Sequence, residues 1–144
     1  MAVALSMPMV EERDSTRLLE LGLTPEEVRV LTTLHQNVLL VGMPRVTEAV
    51  LRALTPYLRL PVQSLEVSMS LPNHPQGTLI LRALETLDWQ AQHQLLHWLN
   101  GLGTDTQIIS LISAPLYPRI EQGTFHDQLY YRLNVVHLEP RHYP

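Results

Sequence analysis

Three short, largely apolar runs constrain the fold of this chain more than any other feature. They cover residues 38–41, 78–81 and 107–112, and none alternates between apolar and polar residues. Such runs are typical of strands that are covered on both faces, as in a parallel sheet. The stretches between them have helical spacing. The sequence therefore predicts an α/β domain in which a mainly parallel sheet is flanked by helices, with right-handed crossovers.

Capping residues mark the ends of the predicted helices. Asp14 precedes a short helical pattern that Gly22 ends. Thr24 is followed by Pro25 and Glu27, a combination that forms a capping box at a helix start. Further predicted elements are helices over 47–58, after Asp88 up to Gly101, and over 126–132, strands over 62–67 and 135–138, and a loop over 70–76.

Composition excludes several classes of chemistry. The chain has no cysteine and no lysine, because all ten of its basic residues are arginine. Thiol nucleophiles, Schiff bases and a phosphate-binding loop lysine are therefore excluded. The net charge of −4 disfavours direct nucleic-acid or anionic-membrane binding. Residues 1–10 lack the basic region of a signal peptide and no apolar run approaches a membrane span, so we expect a cytoplasmic protein.

Three strings together resemble one protein family. Residues 123–135 read GTFHDQLYYRLNV, residues 77–81 read GTLIL with Gln92 and Leu95-Leu96 following, and residues 38–42 read VLLVG. These strings resemble G-x-F-R-x-D-L-Y-Y-R-L-N-V, G-T-L-F-L with Q-x-x-L-L, and the strand before the phosphate-binding loop in the AAA+ core of bacterial sigma-54-dependent transcription activators. The resemblance covers roughly residues 37–138 and implies a three-layer P-loop NTPase-like fold.

The same resemblance gives the expected domain organisation. Residues 1–36 are predicted to be an N-terminal extension with helices, residues 37–140 a degenerate AAA+ core, and residues 141–144 a tail. The chain ends soon after the last predicted strand, so no lid subdomain is expected. Only 34 residues separate Gly42 from Gly77, too few for the loop with which the family remodels sigma-54 holoenzyme.

The nucleotide loop implied by the resemblance has lost most of its chemistry. A Walker A loop uses glycine amides and a lysine to hold phosphates. Here Gly42 alone is retained, Pro44 has no N–H to donate, and Glu48 occupies the lysine position, where its carboxylate repels a triphosphate. Thr47 and Arg45 remain as candidate anion contacts.

The Walker B and arginine-finger positions are altered as well. Arg82-Ala83 stands where the family has the Asp-Glu pair that positions Mg²⁺ and the attacking water. An alternative interpretation of Arg82 is an ion pair with Glu85. His126 replaces the first arginine finger, whereas Arg132 retains the second, so both are candidate contacts to another subunit or partner. Arg132 could equally pack its stem and pair with a surface acid.

Two histidines on one predicted helix superficially resemble a zinc motif. His93 and His97 are four residues apart, as in H-E-x-x-H, but Gln94 replaces the catalytic glutamate and no third ligand is evident. We therefore expect no metal site and interpret these histidines as part of an exposed helix face.

These observations favour a non-hydrolysing module that acts by protein–protein contact in transcriptional or other regulation. It is not expected to be an enzyme or to hold a cofactor, and ATP binding is disfavoured. The expected partner is another protein or a second copy of the chain. Two alternatives remain open, namely an ATP- or ADP-binding pseudo-ATPase sensor and a domain of a longer sigma-54-dependent regulator. No nucleophile, base and orienting group can be assembled for another enzyme activity.

Overall fold

A computed structural model describes residues 15–66, 70–103 and 105–141. Its five strands form one sheet in the order β2-β3-β4-β1-β5, and every pairing is parallel. The strands are β1 (Val38–Val41), β2 (Val62–Glu66), β3 (Gly77–Arg82), β4 (Thr106–Ile112) and β5 (Val136–Leu138). The parallel sheet that the apolar runs predict is confirmed. The predicted end over residues 1–10 and residues 142–144 of the predicted tail lie outside the described residues.

Two layers of helices cover the sheet. Helix α1, described over residues 15–20, packs with α2 (Pro25–Thr33) and α3 (Pro44–Leu54) on one face. Helices α4 (Trp89–Asn100), α5 (Tyr117–Glu121) and α6 (Asp127–Leu133) pack on the other. The two N-terminal helices thus share a core with the sheet, whereas the domain boundaries at residues 36 and 140 stay predictions.

Alternating strand residues supply the two halves of the core. Leu39 and Leu81 contribute to the α4–α6 side, while Leu40 and Ile80 contribute to the α1–α3 side. Because both faces are apolar, the central strands read as continuous apolar runs. Phe125, of the string 123–135, is also fully buried on the α4–α6 side.

The predicted caps of α2 and α4 form, whereas the predicted cap Asp14 lies outside the described residues. The Thr24 hydroxyl accepts from the amide of Glu27, and the Glu27 carboxylate accepts from the amide of Thr24. The Asp88 carboxylate likewise accepts from the amide of Ala91 at the start of α4. These bonds satisfy amides that the first helical turn leaves without a partner.

Helix α3 differs from its predicted bounds of 47–58. It begins at Pro44, because proline has the backbone angle of a first helical residue and no N–H to lose there. It ends at Leu54, and the 3₁₀ turn Thr55–Tyr57 follows, because Pro56 cannot continue the hydrogen-bond ladder. The early start matters for the site, since the segment expected to form a phosphate loop is helical.

Candidate functional site

The candidate site is a cleft at the carboxyl ends of the parallel strands, the usual ligand position in α/β folds. Its volume is about 220 Å³. It is enclosed by the turns that follow β1, β3 and β4 and by the first turns of α3. The lining residues are Gly42, Pro44, Thr47, Glu48, Arg82, Ala83, Glu85, Leu111, Ile112 and Ser113.

The backbone amides beside this cleft are largely engaged within the fold. The amide of Gly42 donates to the carbonyl of Ile112 at 3.0 Å, which extends the β1–β4 pairing. The amides of Val46 and Thr47 donate to the carbonyl of Met43 at 2.9 and 3.0 Å. A phosphate-binding loop presents such amides unpaired to its ligand. Here the amide of Gly42 extends the sheet, and the amides of Val46 and Thr47 close the first turn of α3.

The Glu48 and Arg82 side chains form an ion pair across the cleft. Arg82 Nη1 donates to Glu48 Oε1, and Arg82 Nη2 lies 3.4 Å from Glu48 Oε2. Arg82 Nε also donates to Ser64 Oγ at 2.8 Å. Arg82 therefore does not pair with Glu85, the alternative considered from the sequence. The pair joins the two residues that the sequence resemblance assigned to the Walker A and Walker B positions, an assignment that stays a prediction.

Ala83 begins a tight turn beside the ion pair. Its φ of 63° lies in the left-handed region, which is uncommon for a residue with a side chain. The turn leads into the 3₁₀ segment Leu84–Thr86 and buries Leu84 in the core. A methyl group at this position can neither accept a proton nor orient a water.

Glu85 is held by the end of β4. Its Oε2 accepts from the amide and the hydroxyl of Ser113, both at 2.7 Å. Partial burial opposes ionisation of Glu85, but the hydrogen bonds from Ser113 outweigh it and lower the pKa of this carboxyl. Glu48 and Glu85 with Arg82 thus give the cleft an excess of one formal negative charge.

The other predicted nucleotide position lies outside the cleft. Arg45 is exposed on the first turn of α3 and is absent from the cleft lining, unlike Gly42, Thr47 and Glu48. The buried Thr47 hydroxyl donates to the carbonyl of Pro44 at 3.3 Å. The structure therefore brings together most of the predicted loop residues but not Arg45, because the early helix start turns Arg45 toward solvent.

His126 lies in a ring cluster at the start of α6. Its imidazole stacks on Trp89 with ring centroids 3.7 Å apart, and the His93 ring meets it edge-on at 3.9 Å. Burial lowers the pKa of His126, His93 lowers it further, and Asp127 partly opposes the shift. A neutral ring in this cluster has no charge to offer a neighbouring subunit.

Arg132 is placed far from the cleft. Its Nη2 donates to the carbonyl of Leu99 at 3.0 Å, in the last turn of α4, and its own carbonyl accepts from Asn37 Nδ2 at 3.1 Å. A cation at a helix C-terminus is favourable because the last carbonyls are unpaired there. Arg132 therefore has a role within the fold, at the amino end of the sheet.

Sequence reasoning missed the role of Gln92. This fully buried side chain donates to the carbonyls of Leu87 and Thr124 and accepts from the amide of His126 at 2.9 Å. It thereby joins α4 to the start of the 123–135 string. The available signal was a polar residue among the apolar positions of α4, since buried polar side chains carry hydrogen bonds.

In the ranges that the structure describes, no three His, Asp or Glu side chains form a group that could hold a metal ion. None of the described helices combines the length and the apolar character that a membrane span requires.

A five-stranded parallel sheet between two helix layers, with a cleft at the strand ends, defines the class as a P-loop NTPase-like AAA+ fold. The family model described as the sigma-54 interaction domain matches residues 47–140. That match covers more than half of the chain, so this protein belongs to the sigma-54 interaction domain family. The family resemblance recognised in the sequence is confirmed.

Individual relatives agree with this assignment. The chain is 36% identical over 74 residues to the pathogenicity locus probable regulatory protein HrpR of Pseudomonas syringae pv. syringae, covering 44% of this chain and 24% of that protein. Crystal structures of NtrX from Brucella abortus in complex with ADP and with ATP both match with a TM-score of 0.63. Their identities are 20% and 21%, over 95% and 89% of this chain and 41% and 35% of theirs. The chain thus spans less than half the length of each relative.

Proposed function

We propose that this chain is a non-hydrolysing sigma-54 interaction module that acts by contact with other proteins in transcription regulation. The observation that carries the proposal is the ion pair of Glu48 with Arg82, which joins the two positions where an active relative would hold phosphate and Mg²⁺. An arginine cannot coordinate a cation, and the paired carboxylate cannot bind a phosphate. We accordingly propose that the module needs no cofactor. We also propose that it acts in the cytoplasm.

Charge supports this proposal independently of the ion pair's geometry. The cleft lining contains Glu48 and Glu85 against one arginine, so a polyanion would enter against an excess of negative charge. The described amides of Gly42, Val46 and Thr47 already have carbonyl partners. A nucleotide that binds here would have to displace those hydrogen bonds and overcome the repulsion between its phosphates and the excess negative charge of the cleft.

The small volume of the cleft also supports the proposal. The cleft volume of about 220 Å³ falls below the roughly 300–1,000 Å³ of typical small-molecule sites. The Arg82 side chain lines this cleft and is tied to both Glu48 and Ser64. Opening this space would cost the ion pair and the hydrogen bond together.

We expect neither ATP nor ADP to bind measurably, with or without Mg²⁺, at concentrations up to about 1 mM. Calorimetric titration of the full chain tests this, with an active AAA+ activator domain as the positive control. Arg45→Ala and Glu48→Ala variants are titrated in parallel. Saturable nucleotide binding that either substitution alters would overturn the proposal and make the chain a nucleotide-sensing pseudo-ATPase.

Protein contact is the remaining activity that the family assignment supports. The α6 surface carries Tyr131, which is 61% exposed and touches the ring of Tyr130, and Trp89 lies half exposed beside His126. Exposed aromatic residues are frequent anchors of protein interfaces. We therefore place the contact surface on α6 and the start of α4, with sigma-54 or a chain of the same family as the partner.

Sedimentation of the full chain, alone and mixed with purified sigma-54, tests the contact. We expect a concentration-dependent self-complex or a mixed complex that Tyr131→Ser weakens about tenfold or more. Leu60→Ser is the matched control, because Leu60 is 80% exposed near β2, away from α6. A monomer across micromolar concentrations in both samples, or equal effects of the two substitutions, would contradict this surface.

The match to part of longer proteins also supports the second alternative, in which this chain is one domain of a sigma-54-dependent regulator. In that case the contact surface would also contact the other domains of that regulator. DNA contact is assigned to neither version, because the chain has a net charge of −4.

A further inference from the structure

A second cavity lies at the opposite end of the sheet from the Glu48–Arg82 cleft. Its volume is about 500 Å³. It is bounded by residues 34–37 before β1, by the start of β4 and by Val135 before β5. A cavity of this size falls within the range of small-molecule sites. The amino ends of the strands are not where ligands of this fold class ordinarily bind.

The charges around this cavity are all of one sign. Arg59 and Arg132 both line it, together with His35, and no Asp or Glu is among the described residues of its lining. This is unexpected in a chain whose net charge is −4. Two guanidinium groups that share one acid-free cavity produce a positive local potential.

The two guanidinium groups retain free donors. Arg132 uses Nη2 for the carbonyl of Leu99, which fixes the group at the cavity wall. Its remaining N–H groups have no partner among residues 15–66, 70–103 and 105–141, and within those ranges the Arg59 guanidinium has none at all. A guanidinium has five N–H donors in a planar fork that matches carboxylate and phosphate oxygens.

The floor of the cavity is held together by hydrogen bonds of Asn37. Asn37 Nδ2 donates to the carbonyl of Arg132, and Asn37 Oδ1 accepts from the amide of Ile108 at 2.9 Å. The carbonyl of Asn37 accepts from the amide of Val136 at 3.0 Å. One side chain and its backbone thus tie β1, β4, β5 and α6 together at the base of the cavity.

One side of the cavity is apolar and partly exposed, although Thr33, Gln36 and Thr106 also line the cavity. Leu34 is 50% exposed and Val135 is 55% exposed, and Leu99, Leu102 and Ile108 complete this side. A ligand that fills the cavity would therefore cover apolar surface as well as meet positive charge. A bare inorganic ion would meet the arginines but leave the apolar side uncovered.

We propose that this cavity binds a small organic anion, with its carboxylate or phosphate group between Arg59 and Arg132 and its apolar body against Leu34 and Val135. The site is independent of the proposed loss of nucleotide hydrolysis. It would give the module a ligand-responsive position beside the helix ends of α4 and α6.

Titration followed by ¹H–¹⁵N NMR tests the site with phenyl phosphate, benzoate, inorganic phosphate and benzyl alcohol. We expect saturable shifts at residues 34–37 and 135 with phenyl phosphate or benzoate, and the stronger of the two identifies the head group. Inorganic phosphate and the neutral alcohol should bind at least about tenfold more weakly.

Arg59→Gln should weaken the better probe about tenfold or more, because it removes one charged contact without touching the core. Arg52→Gln is the matched control, since it makes the same charge change on the exposed side of α3. Arg132→Lys keeps the charge at the end of α4 but loses the planar fork, so it should also weaken binding. Equal affinity in all variants, or no saturable binding by either organic anion, would overturn the proposal.

Discussion

Gly77→Ala is expected to lower the free energy of unfolding by about 2–5 kcal/mol. Gly77 opens β3 with φ at +76°, where a side chain is strained. A Cβ at this position would lie 2.7 Å from both the carbonyl carbon of Leu60 and the nitrogen of Pro61, and would overlap the Pro61 carbonyl oxygen. Because these neighbours are backbone atoms, they cannot rotate away. The cost is the sum of local strain and a displaced segment before β2.

Substitutions at two other glycines distinguish the cost of backbone strain from the cost of steric overlap. Gly123 has φ at +78°, but a Cβ added there would have no atom within 4 Å, so Gly123→Ala should cost only the strain, about 1–2 kcal/mol. Gly103 has neither feature, and Gly103→Ala should change stability by less than about 0.5 kcal/mol. Urea denaturation of the three variants measures all three values. A Gly77 variant no less stable than the Gly123 variant would contradict the close approach of the two segments.

The same contacts explain why sequence reasoning succeeded at the fold. The amide of Thr78 donates to the carbonyl of Pro61 at 3.0 Å, and its hydroxyl donates to the carbonyl of Arg59 at 2.9 Å. The Gly-Thr pair of the 77–81 string thus fastens β3 to the segment before β2. The recognisable strings are those whose residues hold the sheet together, and such contacts persist whether or not a nucleotide binds.

The site was only partly predictable because its chemistry depends on pairs that are distant in sequence. Glu48 lies in the helix that follows β1, and Arg82 is the last residue of β3. The two strands are separated in the sheet by β4, so the contact between Glu48 and Arg82 depends on strand order. Local spacing instead favoured the nearer carboxylate of Glu85. Arg45 was placed in the site by its position after Gly42, whereas the helix that begins at Pro44 turns it outward. The Glu48–Arg82 pair thus arises from tertiary geometry that residue types alone do not encode, whereas the position of Arg45 follows from a local signal, the preference of Pro44 for the first helical position.

The second large loss of stability is expected on substitution of Gln92. Gln92→Met keeps the length of the side chain but removes its amide, which leaves the carbonyl of Leu87 and the amide of His126 without the Gln92 partner, while the Thr124 carbonyl keeps only its contact with Arg119. Each buried polar group left unpaired costs about 1–3 kcal/mol, and we expect a total loss of roughly 3–5 kcal/mol.

The matched control for this change is Gln94→Met, on the exposed side of the same helix, which should alter stability by less than about 0.5 kcal/mol. Hydrogen exchange adds a local measurement, because the amide of His126 should exchange faster in the Gln92 variant while amides within the β1–β4 pairing keep their relative protection. If both variants unfold at the same urea concentration, Gln92 does not join α4 to the 123–135 segment. The two measurements therefore test whether the Gln92 hydrogen bonds hold α4 and α6, which carry the proposed contact surface, in their relative positions.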